Sequence, residues 1–331
     1  METSRATASS AGPKTAGGRR SWVPARAVFL LAVGGAAVAA VVAWDGGSPA
    51  AETGATPVAD VQPTVELPME MNARVEKWMR RFRTDQKRTF ERFLARESLY
   101  ADLIRTQLRN RGMPEDLLYL AMIESGFSAR ATSRASAVGV WQFMGPTAKQ
   151  YGLRVDRWVD ERRDPVKATG AALDYLEWLH DRYDSWYLAA AAFNAGPGRV
   201  DRVLRRHAGG RKGDEAVYWE IIDHLPRETR EYVPKLLAAA TLARQAARFG
   251  FDVKPVGAYE FDRVWVPGGT SLSTVAASLE IPIDLMRDLN PHLVRGSTPP
   301  GASYALRIPV GTSSQVIASL GGRSRTKVAD D

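Results

Sequence analysis

From Val75 to Phe249 the apolar residues of this chain return every three or four positions, and almost no stretch alternates as a strand would. Val75, Trp78, Met79 and Phe82 form a first helical set, Phe90, Phe93 and Leu94 a second, and Leu99, Leu103, Ile104 and Leu108 a third. Ala168, Ala171, Ala172, Tyr175, Leu176 and Leu179 give an apolar face to a helix predicted over Pro165 to Tyr183. A helix over Trp186 to Asn194 carries a run of alanines small enough for close packing, and Gly196-Pro197-Gly198 ends it. A short helix is expected over Arg199 to Arg206, and a long one over Glu228 to Phe249. Each such helix must bury its stripe against another, so residues 70–250 are expected to form a mainly α domain. Trp and Phe at this spacing read as core.

One stripe carries an acid. A helix beginning at Pro114 suits that residue's fixed φ, and Glu115 and Asp116 complement the positive end of its dipole. Leu117, Leu120, Ala121 and Glu124 then fall at i, i+3, i+4 and i+7, which places the Glu124 carboxyl on an apolar face. Burial and the negative end of a helix stopping at Gly126 both raise the pKa of that carboxyl, as a proton donor near neutral pH requires. A structural Glu paired with an Arg satisfies the same pattern. Beyond it come a polar loop from Ser128 to Val138, the run Gly139-Val-Trp-Gln-Phe-Met144, and a short helix from Pro146 to Tyr151.

The pattern changes after Phe249. Val264-Trp265-Val266 and Tyr304 to Ile308 read as strands flanking two short helices, Ser271 to Leu279 and Ile283 to Leu289, a βααβ unit over residues 256–311. Residues 312–331 read as a disordered polar tail. At the other end, residues 1–26 are basic and lack apolar period, and 45–69 form a Gly-, Pro-, Ala- and Thr-rich linker. Between them, residues 27–44 are uncharged and apolar and follow Arg19, Arg20 and Arg26. This is expected to be a transmembrane anchor or a cleaved signal segment that sends everything after Trp44 across the membrane.

The net charge of +8 suits an anionic partner or an Arg-rich background, but the basic residues are interleaved with acids and match no nucleic-acid module. With no Cys, the chain has no disulfide, thiolate metal site or Cys nucleophile. His180, His207, His224 and His292 lack metal-ligand spacing; no G-x-S-x-G elbow exists, and the Gly196-Pro197-Gly198 cluster lacks a phosphate-loop Lys. No metal or cofactor is expected, and carboxylate chemistry remains.

Met122-Ile-Glu-Ser-Gly-Phe127, Gly139-Val-Trp-Gln-Phe-Met144, Ala192-Phe-Asn-Ala-Gly196 and Glu228-Thr-Arg-Glu-Tyr-Val233 follow one another in the order of the soluble-type lytic transglycosylase motifs. Residues 70–245 resemble that family, most closely its membrane-bound D subgroup, and Asp160-Glu-Arg-Arg-Asp-Pro165 and Leu225-Pro226 fit the same pattern. The resemblance implies a lysozyme-like all-α catalytic domain that cleaves the MurNAc to GlcNAc β-1,4 bond of peptidoglycan without water, leaving a 1,6-anhydro end. Glu124 would act as acid and then base, and one carboxyl suffices because the substrate's own C6 hydroxyl attacks.

The same resemblance implies substrate contacts from Ser125, Ser133, Gln142, Phe143, Met144, Phe193, Asn194, Glu228 and Tyr232. Two positions depart from it: Phe193 replaces a frequent Tyr, with Tyr232 placed to compensate, and Ser136 replaces a frequent Gly. Residues 256–311 resemble a diverged LysM glycan-binding module through Gly269-Thr-Ser-Leu272, Leu289-Asn290-Pro291 and Leu306-Arg-Ile-Pro309, with Gly268 near a common Asp. The expected partners are peptidoglycan strands and, through residues 27–44, a membrane, with no nucleic acid. A hydrolytic muramidase and a non-catalytic peptidoglycan-binding scaffold are the competing readings.

Overall fold

The computed structural model describes residues 66–320 and the pair Lys327–Val328. The expected basic N-terminus, the apolar segment 27–44 and most of the linker lie outside the described residues. Among the described residues no helix is long and apolar enough to cross a membrane.

Among the described residues, nine α-helices build the first domain: α1 (Ala73–Arg83), α2 (Lys87–Arg109), α3 (Leu118–Ser125), α4 (Gly145–Gln150), α5 (Pro165–Tyr183), α6 (Trp186–Ala195), α7 (Pro197–His207), α8 (Glu215–Ile221) and α9 (Arg227–Arg244). At its centre is α6, packed on α5 and α9, with Leu188 to Ala192 wholly buried. Alanine leaves no side chain beyond Cβ, so α5, α6 and α9 approach closely around it. Side chains fix the helix starts. Asn72 accepts hydrogen bonds from the amides of Arg74 and Val75, and Asp164 from those of Val166 and Lys167. Ser185 caps α6 beside Glu215, whose carboxylate accepts from the amides of Trp186 and Tyr187 at 2.8 and 2.9 Å. Glu215 opens α8, a helix that periodicity does not announce, and so ties two helix starts together.

The end of the helical domain differs from expectation. The last long helix stops at Arg244, and a separate 3-10 turn over Ala247–Phe249 ends at Gly250 with φ 75°. The chain then runs along α2, where the Val256 amide meets Ser98 Oγ at 3.1 Å and the Tyr259 amide meets the Leu99 carbonyl at 3.0 Å.

The second domain contains the expected βααβ order, β1 (Asp262–Val266), α10 (Leu272–Ser278), α11 (Ile283–Leu289) and β2 (Tyr304–Ile308). β1 and β2 pair antiparallel with Val264 opposite Leu306. The tail beyond 312 is not wholly irregular, because Ser313–Leu320 forms α12 and Lys327–Val328 forms β3, on the other edge of β1. The physical reason is the apolar pair Val316 and Leu320, one turn apart, which closes a core too small to be covered by two helices.

The two domains are docked. Val159 of the helical domain is buried in the core of the small one and pairs with Leu293. The Asp160 amide donates to the His292 carbonyl at 2.9 Å, and the Val294 amide to the Trp158 carbonyl at 3.2 Å. Arg307 on β2 grips both oxygens of Asp164 at 2.8 Å, with both residues buried.

Candidate active site

Glu124 occupies the last turn of α3, because Gly126 takes the left-handed φ of 59° and stops the helix there. Its Oε1 accepts a 2.6 Å hydrogen bond from the Tyr232 hydroxyl on α9. Burial pushes the Glu124 carboxyl up to about 7, and the Glu228 charge adds to the rise; the Tyr232 bond and the Lys235 charge oppose it. The structural alternative of an Arg partner is not what the fold supplies. Lys235 instead donates to the Ile123 carbonyl at 3.0 Å, covering the helix end next to the acid, and burial lowers its own pKa. Tyr232 is raised well above its usual value by burial and by Glu124, so it stays a donor.

The loop after α3 forms one wall. Thr132 bridges to Val138 and Val138 to Phe143, and Ser136 takes φ 64°, the left-handed region that a glycine occupies without strain. Gly139, at φ 88°, lies so close to the next segment that a Cβ there would sit 1.7 Å from the Arg162 carbonyl oxygen. Arg162 forks onto Asp160 at 2.8 Å and donates to the carbonyls of Ser136 at 3.1 Å and Phe143 at 3.2 Å. The Asp160 to Asp164 motif thus holds both ends of this wall.

The cleft enclosed by these elements has a volume of about 660 Å³. Glu124, Ser133, Gln142, Phe143, Met144, Phe193, Asn194, Glu228 and Tyr232 all line it. Phe193 lies edge-on to Trp141 and Phe143 and tilted on Tyr175 at 5.4 Å, which makes an aromatic floor. Met144 is 44% exposed at the rim. Asn194 bridges Glu228, to which its Nδ2 donates at 3.2 Å, and Thr229, whose hydroxyl donates to its Oδ1 at 2.8 Å. Gln142, at φ 48°, turns its amide nitrogen onto the Gly139 carbonyl at 2.8 Å.

Ser125 is the exception among the expected residues. It does not line the cleft; its hydroxyl donates to the Val140 carbonyl at 2.8 Å and accepts from the Ser128 amide at 3.0 Å. One residue past the acid turns the side chain about 100° around the helix, so Ser125 latches α3 to the loop instead of facing the groove.

Of the lining residues that the sequence did not disclose, three stand on α1 and α9. Trp78, read as core, also faces the cleft, and its Nε1 donates to Glu231 at 2.7 Å. Glu231 and Lys235 complete the wall. The signal for these two was present: Glu228, Glu231, Tyr232 and Lys235 stand at i, i+3, i+4 and i+7, a polar stripe on a helix otherwise buried.

Residues 102–215 match the Transglycosylase SLT domain, and residues 260–322 match the LysM-like domain of lytic transglycosylase MltD. Membrane-bound lytic murein transglycosylase D of Escherichia coli (strain K12) is 33% identical over 225 residues, 67% of this chain and 48% of that protein. The chain therefore spans about half the length of that relative. Peptidoglycan transglycosylase gp16 of Escherichia phage T7 is 35% identical over 164 residues, 48% of this chain and 12% of that protein. Among solved structures, the 70 kDa soluble lytic transglycosylase of Escherichia coli is 25% identical, with a TM-score of 0.37, over 45% of this chain and 24% of that one. With the four ordered motifs gathered around one cleft, the chain carries a Transglycosylase SLT domain followed by an MltD LysM-like domain, and is homologous to membrane-bound lytic murein transglycosylase D over two thirds of its length.

Proposed function

We propose that the chain is a peptidoglycan lytic transglycosylase that cleaves the MurNAc to GlcNAc β-1,4 bond without water and leaves 1,6-anhydro-MurNAc ends. The observation that carries this reading is the solitary poise of Glu124. Its carboxyl is held near 7, while the other cleft carboxylates are engaged, Glu228 by Asn194 and Glu231 by Trp78 and Lys77. A retaining or inverting glycosidase needs two carboxyl groups with divided roles, whereas substrate assistance needs one.

In this reading the protonated Glu124 gives its proton to the departing glycosidic oxygen as the C1–O bond breaks. The N-acetyl carbonyl of the same sugar stabilises the cation at C1. The carboxylate then takes the proton of the C6 hydroxyl as that oxygen bonds to C1, which returns Glu124 to its starting state. Tyr232 orients the acid throughout, and Ser133, Gln142, Asn194 and Glu228 supply polar groups along the sugar path. Phe143, Phe193 and Met144 offer apolar surface to the sugar rings. Ser125 acts indirectly, by fixing the end of α3. The LysM-like domain binds N-acetylglucosamine-containing strands. Residues 27–44 hold the enzyme at the membrane of the cell envelope, with the catalytic domain outside the cytoplasm, or direct its export if they are removed.

The test is mass spectrometry of muropeptides released from purified sacculi by the chain lacking residues 1–44 and by its Glu124→Gln variant. Anhydro ends that vanish in the variant are the expected result. Reducing ends in their place indicate a muramidase, and intact glycan with binding preserved indicates a scaffold.

A further inference from the structure

A second cavity, of about 410 Å³, opens where the two domains meet. Four guanidinium groups line it, those of Arg130 and Arg163 from the helical domain and of Arg287 and Arg295 from the small one. No carboxylate is among its lining residues. Arg130 pairs with Asp288 at 2.7 Å and Arg287 with Asp284 at 3.1 Å, both in exposed settings where water screens the pairing. Arg295 donates through Nε to the Arg157 carbonyl at 3.1 Å, a contact that positions the group without neutralising it. Arg163 Nε is buried without a hydrogen-bond partner, 4.0 Å from an Asp160 that Arg162 already holds.

Four like charges around one cavity repel one another, and an oxyanion placed among them relieves that repulsion. The cavity also adjoins the cleft through a shared loop. Arg163 donates to the Arg130 carbonyl at 3.0 Å and to Thr132 Oγ1 at 3.2 Å, and the next residue, Ser133, lines the cleft.

We propose that this interdomain cavity is a carboxylate-binding site for the acidic stem peptides of a glycan strand lying in the cleft. The proposal rests on the cleft being a peptidoglycan site. Stem peptides project from alternate sugars of such a strand and carry free carboxylates, so a site beside the cleft reads whether the strand is decorated. Phosphodiesters of wall-linked polymers offer the same oxyanion chemistry, and the test separates the two sources.

The test is capture of the full chain on beads bearing covalently attached sacculus fragments, either intact, stripped of phosphodiester polymers by hydrofluoric acid, or stripped of stem peptides by an amidase. The chain is expected to bind the first two alike and the third about tenfold more weakly, the scale of one or two charge-assisted bonds. The Arg287→Gln/Arg295→Gln variant should bind all three as the unaltered chain binds the third. A loss confined to the acid-stripped sacculi assigns the cavity to phosphodiesters and overturns the stem-peptide assignment. Identical binding by chain and variant to all three overturns the site itself. Arg287→Gln alone leaves the Arg295 contact intact and should cost about threefold; full binding by this variant traces the double variant's loss to loosened domain docking, and the proposal falls. Capture does not depend on turnover, so missing anhydro ends in the muropeptide digest count against the transglycosylase reading alone.

Discussion

The Tyr232 hydroxyl, on a helix 108 residues further along the chain, lies 2.6 Å from Glu124 Oε1 and is the side-chain hydrogen bond that orients the acid. It also restrains the effect of burial, because a donor to a carboxylate favours its ionised form. Phe193 offers no hydroxyl to the acid, and the phenol on α9 donates to it instead.

Tyr232→Phe removes this restraint, so the carboxyl of Glu124 rises further. Activity that needs the protonated acid declines as pH passes the carboxyl's pKa, near 7 in the unaltered chain. In the variant that alkaline limb should move up by about one pH unit or less, while turnover on the plateau falls about tenfold as the acid loses its orientation. A pH–rate profile on purified sacculi checks both, and a limb that stays put or moves down refutes the assignment.

Glu124→Gln should make the protein more stable at alkaline pH. The folded carboxyl, near 7, binds its proton more tightly than the unfolded one at about 4.5. Between these values the folded state holds the proton that the unfolded state has lost, so the native chain loses stability as pH rises through that window. Glutamine has nothing to ionise. The variant's advantage should be near zero below pH 4 and approach about 3 kcal/mol at most above pH 8. Urea denaturation at the two ends measures it, and an advantage independent of pH counts against a raised carboxyl.

Arg307→Met leaves Asp164 buried without its bidentate partner, at the N-terminus of α5 and against the small domain. Removing one member of such a pair costs about 3–5 kcal/mol. Asp164 has a lowered pKa in the fold, so the stability it contributes is present at neutral pH and fades as pH falls through that depressed value. At pH 7 calorimetry should show the variant's two domains melting in separate transitions; one unshifted transition would show that the ion pair does not couple them.

Gly139→Ala places a Cβ 1.7 Å from the Arg162 carbonyl, at a φ that L-residues rarely adopt. Neither backbone can yield without moving the loop that holds Ser133 and Phe143. A loss of about 3 kcal/mol or more is expected in urea denaturation, together with a fall in kcat/KM on sacculi. A variant as stable and as active as the parent would place the loop elsewhere.

The small domain shows where a single sequence read by pattern falls short. At Gly268 an added Cβ would meet the backbone of Gly301 and Ala302 at 2.7 to 2.8 Å. No periodicity announces that closure. The same is true of α12, whose apolar pair is visible only once the core it closes is known.

The sequence by itself determined the helical domain, the βααβ unit and the acid. Apolar spacing, capping residues and the Gly126 stop are local signals, and local signals survive without coordinates. Only the tertiary structure decided what surrounds the acid. Tyr232 reaches Glu124 and Lys235 the Ile123 carbonyl because α3 packs on α9, Ser125 leaves the cleft because of its azimuth on a short helix, and Arg307 meets Asp164 across a domain boundary. Those pairings join residues about a hundred positions apart or more in two cases of three, and the chain records each partner without recording that they meet.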